Sequence, residues 1–336
     1  MVRARDAKAW AKEELRGICD SLYTPFNGTD GDDVDYDAIR ALVRYTLGDL
    51  DHDGLWLVSG LAEFWSLTLD ERKRIAEVTT EEARSVKPGA ILQICTVAAS
   101  AKETVDLTLH AQDLGADICY IQNPFIEAHG GRGVLEFIQY VAARTDVALG
   151  MFNSPCSGLV LSPAECAQIS EAVPAVCAIK DAAVPQPFHG IALAQMAPDL
   201  VVWEAELMLS YNGGLVQQGL QSPCMLGSVA YLGETPSDKR VTTWFNLVLE
   251  GKLTEASEYY FAAGVDTAGS HGLGYTMVPE RPGYYTHWGS AFKYCASLLG
   301  LPVGDYPYSR TPQIKLSDEQ QARIKDAYVR SGLIDG

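Results

Sequence analysis

The run AVCAIKDAAV, residues 175–184, sets a single lysine, Lys180, inside an apolar, strand-like stretch. Burying an unpaired ammonium costs several kcal/mol, so such a lysine shifts its ionisation or finds a partner. Held neutral, its amine can attack a ketone and become a protonated imine. The cationic nitrogen then draws electrons from the neighbouring carbon. The competing reading is a lysine paired with a buried carboxylate, Glu204 or Glu206 on the next apolar run. Position by itself favours neither.

Other residues fall where chemistry would be expected only if strand ends converge. Glu63 follows GLWLVS, in VSGLAEFWSLT. Taken alone it reads as a loop carboxylate, and Phe64 and Trp65 beside it read as core. Asn153 ends ALGMFN. Asn-x-Pro reads first as a turn, although the amide could fix a carbonyl or hydroxyl. Glu204, Glu206 and Tyr231 fall near the last two strand ends, and alternation puts the two carboxylates on one face. His52, His110, His129, His189, His271 and His287 are scattered, with no HxH or HExxH spacing, so no metal site is expected.

The elements that must position these residues alternate along the chain. Eight strand candidates are 18–26, 54–59, 90–95, 118–122, 148–153, 176–182, 201–206 and 222–228, each followed by a helix-like segment. Several helices open on a Ser/Thr-x-x-Glu/Gln capping box: Thr68 with Glu71, Ser100 with Glu103, Ser162 with Glu165, Ser317 with Gln320. Pro163 stands at a first helical position. Eight such units predict an α/β fold, a (β/α)8 TIM barrel, in which chemistry sits at the C-terminal ends of the strands. The rival is a doubly wound open sheet, but no Gly-rich phosphate fingerprint follows the first strand. The expected organisation is a barrel with an N-terminal helix over 1–235 and a C-terminal helical extension packed on it over 236–336. Residues 269–289, rich in Gly, Pro and Tyr, read as a long loop.

Of the 336 residues, 47% are hydrophobic and 21% charged, with net charge −17. That is a globular composition whose acidity argues against nucleic-acid or anionic-membrane partners. The eight cysteines show no CxxC or disulfide spacing, and Cys19, Cys95, Cys119, Cys177 and Cys224 fall in apolar runs. With no apolar leader and no long apolar run, the expectation is a reduced, cytoplasmic protein.

In order along the chain, LYTPFNGTDGDDVDYDAIRALVRY, GLWLVSGLAEFWSLTLDERKRIAE, FNSPCSGLVLSP, IKDAA and LLGLPVGDYPYSRTPQIKLSDEQQARI resemble the dihydrodipicolinate synthase / N-acetylneuraminate lyase family of class I, pyruvate-type aldolases. The resemblance runs from about Leu22 to the C-terminus. It implies a barrel, a homo-oligomer (tetramer or dimer), no cofactor, and Lys180 as the Schiff-base lysine toward a 2-oxo acid such as pyruvate.

The chain also departs from the family pattern. The family's Gly-Thr-Thr-Gly-Glu reads Ser59-Gly60-Leu61-Ala62-Glu63 here, so the hydroxyls that grip a substrate carboxylate are missing at Gly60 and Leu61. Ser59, Ser66 or the Gly60 N–H are the substitutes at hand. Phe152 stands where the family's proton-moving Tyr would be, and a phenyl ring does no acid/base work. Ser157 takes the position of an arginine found in diaminopimelate-pathway members.

The expected site therefore has Lys180, Glu63 and Tyr231 as catalytic residues, with Tyr23, Tyr120 or a water as other proton carriers. Ser59, Gly60, Leu61, Phe152, Asn153, Glu204 and Ser228 are the expected substrate-binding residues. The leading function is a Schiff-base lyase on a 2-oxo acid or related carbonyl compound. Phe64, Trp65, Phe125 and Phe152 point to a bulky or aromatic substrate of the hydratase-aldolase kind. The alternatives are an imine-dependent dehydratase, deaminase or decarboxylase, and a ligand-binding barrel that has lost catalysis.

Overall fold

The computed structural model describes residues 1–122, 130–154, 157–181, 188–204, 209–265 and 288–336. Its main sheet comprises β1 (Gly17–Asp20), β4 (Gly54–Leu57), β5 (Ile91–Cys95), β6 (Ile118–Gln122), β7 (Ala148–Asn153), β8 (Val176–Asp181), β9 (Val201–Glu204) and β10 (Cys224–Ser228). Strand order is β10-β1-β4-β5-β6-β7-β8-β9, and the pairs are parallel. Ser222 N donates to Val202 O across 2.9 Å, drawing the two sheet edges together into the expected barrel. A short antiparallel pair, β2 (Phe26–Asn27) and β3 (Asp33–Val34), lies outside it.

The strands are apolar on both faces because both faces are covered. Leu55, Leu57, Leu92, Ile94, Leu149, Met151, Ile179 and Val202 pack in the large cluster shared with the surrounding helices. Cys19, Trp56, Ile118, Tyr120, Ala148, Phe152, Ala178, Val201, Trp203 and Cys224 form a second cluster, the barrel interior. Helix α1 (Ala7–Glu14) closes the lower end of that interior with Ala7, Ala11 and, just beyond its end, Leu15. Gly150 is required within β7, because a Cβ there would overlap the Tyr120 ring.

The outer helices are α2 (Tyr36–Val43), α3 (Leu69–Val86), α4 (Ala101–Asp113), α5 (Gly131–Ala142), α6 (Pro163–Ala172), α7 (Phe188–Met196) and α8 (Leu209–Gln217). Complete capping boxes open α3 and α6. At α4 the Ser100 hydroxyl accepts from Glu103 N, but Glu103 returns to the hydroxyl and not to the backbone, so that cap is one-sided. Helix α9 (Arg240–Leu249) sets Val241, Trp244, Phe245 and Val248 against Ile18 and Met225, covering β1 and β10 as an eighth outer helix would. After it come α10 (Leu253–Ala262), α11 (Trp288–Leu298) and α12 (Asp318–Arg330), the last with the Ser317 capping box. Of the expected 269–289 loop, Trp288 and Gly289 already belong to α11; the remainder lies outside the described residues.

Candidate active site

Lys180 is 4% exposed. Its position on β8 pairs with Phe152 on one side and Trp203 on the other. Its Nζ lies 4.2 Å from the centroid of the Trp56 ring and 5.3 Å from that of Phe152. These two rings meet edge-to-face at 5.3 Å and 88°. Tyr120 continues the aromatic wall, 5.7 Å from Trp56 and 6.1 Å from Trp203. The amine therefore stands on an aromatic floor near the C-terminal end of its strand. Trp56 was not singled out from the sequence, although alternation in GLWLVS puts it on the face opposite Leu55 and Leu57.

The next residue, Asp181, is built into a different network. Its Oδ1 accepts from Asn153 Nδ2 at 3.2 Å, and its Oδ2 lies 2.7 Å from His189 Nδ1. His189 Nε2 and Asn153 Nδ2 both reach Leu161 O, and Asn153 Oδ1 accepts from Leu161 N. The Asn153 amide thus clamps the loop that follows β7. The Ser157 hydroxyl, with one proton to give, lies 3.0 Å from Ser154 O and 2.9 Å from Leu159 O.

The loop after β4 begins and ends in left-handed backbone, Val58 at φ 52° and Glu63 at φ 61°. For a β-branched valine that conformation is strained, and it persists only where the surroundings fix it. Three contacts do so. Thr24 Oγ1 donates to Ala62 O at 2.7 Å. Ser21 and Ser59 hydroxyls meet at 2.5 Å. Glu63 Oε1 accepts from Lys293 Nζ of α11 at 2.8 Å. Both members of that ion pair are fully buried, and a Cβ on Gly289 would strike the Glu63 carboxylate. Burial pulls the Lys293 pKa down while Glu63 opposes the shift. Glu63, expected as a catalytic group, therefore has its Oε1 bound to the C-terminal helices. Ser66, one expected stand-in for the missing threonines, spends its hydroxyl on Glu63 O. The Ser21–Ser59 pair carries two hydroxyl protons and uses one between its members, leaving one to donate. Gly60 and Leu61 are half-buried in the same loop, Phe64 is buried, and Trp65 is 39% exposed.

Tyr231 is buried in the short 3-10 turn after β10, stacked on Tyr23 at 6.3 Å. Its hydroxyl lies 3.4 Å from both Ser21 O, to which it donates, and Tyr23 N, from which it accepts. Burial pushes the phenol pKa of Tyr23, Tyr120 and Tyr231 well above 10.0, so each keeps its proton. The turn that carries Tyr231 is fixed by a buried cluster the sequence did not reveal. Asp20 Oδ1 accepts from Ala230 N, and Asp20 Oδ2 meets His52 Nδ1 at 2.5 Å. His52 Nε2 lies 2.6 Å from Glu234 Oε1, and Glu234 also takes the Thr242 N–H and hydroxyl.

Burial works against the His52 cation, but Asp20 and Glu234 outweigh it and raise the imidazole from 6.5 to about 10. A folded value above the unfolded one gives stability that is complete below about 6.5 and lost as pH climbs toward about 10. His52→Gln is expected to flatten that decline, which amounts to at most about 1.4 kcal/mol per pH unit. Urea unfolding at successive pH values between about 7 and 10 measures it. An unchanged slope would mean that His52 is not the charged group.

The backbone of Glu204 ends β9 beside Asp181, and that of Ser228 ends β10 beside Asp20. The side chains of both, and all of Glu206 and Phe125, lie outside the described residues. Among the described residues no cluster of His, Cys, Asp or Glu could hold a metal, and no helix is long and apolar enough to cross a membrane.

The family model described as the dihydrodipicolinate synthetase family matches residues 14–212. The chain belongs to that family. A 4-hydroxy-tetrahydrodipicolinate synthase of Methanothrix thermoacetophila is 23% identical over 326 residues, 96% of this chain and 99% of the relative. The dihydrodipicolinate synthase structure from Cyanidioschyzon merolae with lysine bound superposes with a TM-score of 0.78 at 17% identity, covering 95% of this chain and 99% of that one. The structure of CdNal from Clostridium difficile in complex with mannosamine gives 0.77 at 20% identity, covering 95% and 99%. At these identities the structural likeness establishes the fold, a dihydrodipicolinate synthase-type barrel. Within it, this family member lines Lys180 with rings.

Proposed function

We propose that this family member is a Schiff-base lyase in which Lys180 condenses with the ketone of a 2-oxo acid or related carbonyl compound. The observation that carries the reading is a buried lysine near the C-terminal end of a barrel strand, where barrel enzymes keep their chemistry. The amine's lone pair adds to the carbonyl carbon, the oxygen leaves as water, and the resulting C=N⁺ accepts the electrons of the adjacent bond that breaks.

The substituents of that carbon would lie against Trp56 and Phe152 at 4.2 and 5.3 Å from the nitrogen, which favours a bulky or aryl group over the methyl of pyruvate. The spare Ser21–Ser59 hydroxyl is the candidate donor to a carboxylate. Tyr23, Tyr120 and Tyr231 are held protonated, so each can give a proton but is a poor base, and a substrate that brings its own basic group suits this site. Glu63 and Asn153 are read as positioning residues, the first through Lys293 and the second through Leu161.

The test is borohydride reduction in the presence of pyruvate, 2-oxohexanoate or phenylpyruvate, followed by peptide mass spectrometry. The expected result is a reduced adduct on Lys180, with phenylpyruvate trapped best. No adduct on Lys180 with any of the three would overturn the reading and favour a binding barrel.

A further inference from the structure

We propose that the indole face of Trp56 stabilises the positive nitrogen of Lys180, first as the ammonium and then as the iminium, and so raises the pH at which the amine reacts. The catalytic consequence rests on the Schiff-base reading above; the physical claim does not.

Lys180 Nζ lies 4.2 Å from the Trp56 centroid, inside the range of about 6 Å in which a cation is drawn to a ring face, and indole is the strongest of the natural faces. The effect grows where water is excluded, and Lys180 and Trp56 are 4% and 1% exposed. The ring is also locked. Phe152 meets it edge-on at 88° and Tyr120 at 70°, while Tyr120 is seated in turn over Gly150 and against Trp203. The indole Nε1 makes no hydrogen bond among the described residues, so no polar contact of the ring's own explains an indole there. Phe152 adds a weaker face at 5.3 Å.

The consequence follows from the charge balance. Condensation needs the neutral amine: its lone pair forms the C–N bond, the carbonyl electrons pass to oxygen, and water departs with one proton taken up. The product is again a cation on the same nitrogen. Trp56 therefore raises the pH needed for attack and stabilises what attack produces. Without the indole face, ammonium and iminium lose together. Below the titration midpoint the yield of trapped adduct should not change. Above it, the yield should fall about tenfold or more.

The experiment is NMR on protein carrying lysine labelled at Cε, with the Lys180 signal assigned by its loss in Lys180→Met. In the unsubstituted protein the Lys180 Cε protons should be displaced upfield by the ring current. In Trp56→Leu that displacement should shrink to what Phe152 leaves, and the titration midpoint should fall by about one pH unit. Trp56→Phe, which keeps a ring and most of the volume, should fall between. A folded Trp56→Phe or Trp56→Leu whose midpoint stays within about 0.2 unit would overturn the proposal, as would the lack of a ring-current displacement. A purely packing role would lower the melting temperature and leave the midpoint unmoved. If the midpoint moves but no carbonyl is trapped, the lyase reading fails and the charge-holding role of Trp56 stands.

Discussion

Lys180→Met is expected to lower borohydride-trapped adduct at residue 180 to background, and any turnover of a trapped carbonyl compound by at least about a thousandfold. Methionine keeps an unbranched chain of similar length in the barrel interior and removes only the nucleophilic nitrogen. The same change also removes a cation from a site that is 4% exposed. The cation is held against the Trp56 face and methionine fills much the same volume, so the variant should stay folded and melt within a few degrees of the parent. Loss of trapping together with a retained melting temperature identifies the amine as functional. Retained trapping in Lys180→Met would mean that another lysine carries the adduct, and peptide mapping would name it.

The second large effect is one of stability. Lys293→Met should destabilise the fold by about 3–5 kcal/mol, because it leaves the Glu63 carboxylate buried without the ammonium 2.8 Å away. The double change Lys293→Met with Glu63→Gln should recover most of that loss, since it removes both charges together. Thermal or urea unfolding measures both. The pair also joins the strained loop after β4 to α11, so Lys293→Met should slow adduct formation on Lys180 even in the fraction that remains folded. An additive double mutant would show that the two side chains are not coupled, and Glu63 would then again be a candidate for proton transfer.

The two buried lysines illustrate how differently sequence speaks about such residues. Lys180 lies near the end of an apolar strand run, followed by Asp181 and two alanines, and that local contrast is visible in ten residues. Lys293 lies in GSAFKYCASLLG, where a helical lysine reads as solvated. Its buried ion-pair partner is Glu63, 230 positions away, which no local pattern announces. His52, Asp20 and Glu234 are likewise distant in sequence, so the sequence shows only a scattered histidine there. Glu63 was noticed for its position after a strand, but its hydrogen-bond partner determines whether it moves a proton or fastens a loop.

The sequence by itself determined the barrel, because eight apolar runs alternating with capped amphipathic helices leave few ways to bury both faces of a parallel sheet. It also determined which lysine stands near a strand end, and which family hydroxyls are missing at Gly60, Leu61 and Phe152. Only the tertiary structure decided what surrounds that lysine. Trp56 and Phe152 come from different strands, and register and barrel closure bring both to one amine, with Tyr120 and Trp203 from two further strands in the same cluster. Local periodicity reports which face a side chain takes, whereas the electrostatics of a site depend on which strands become neighbours across the barrel.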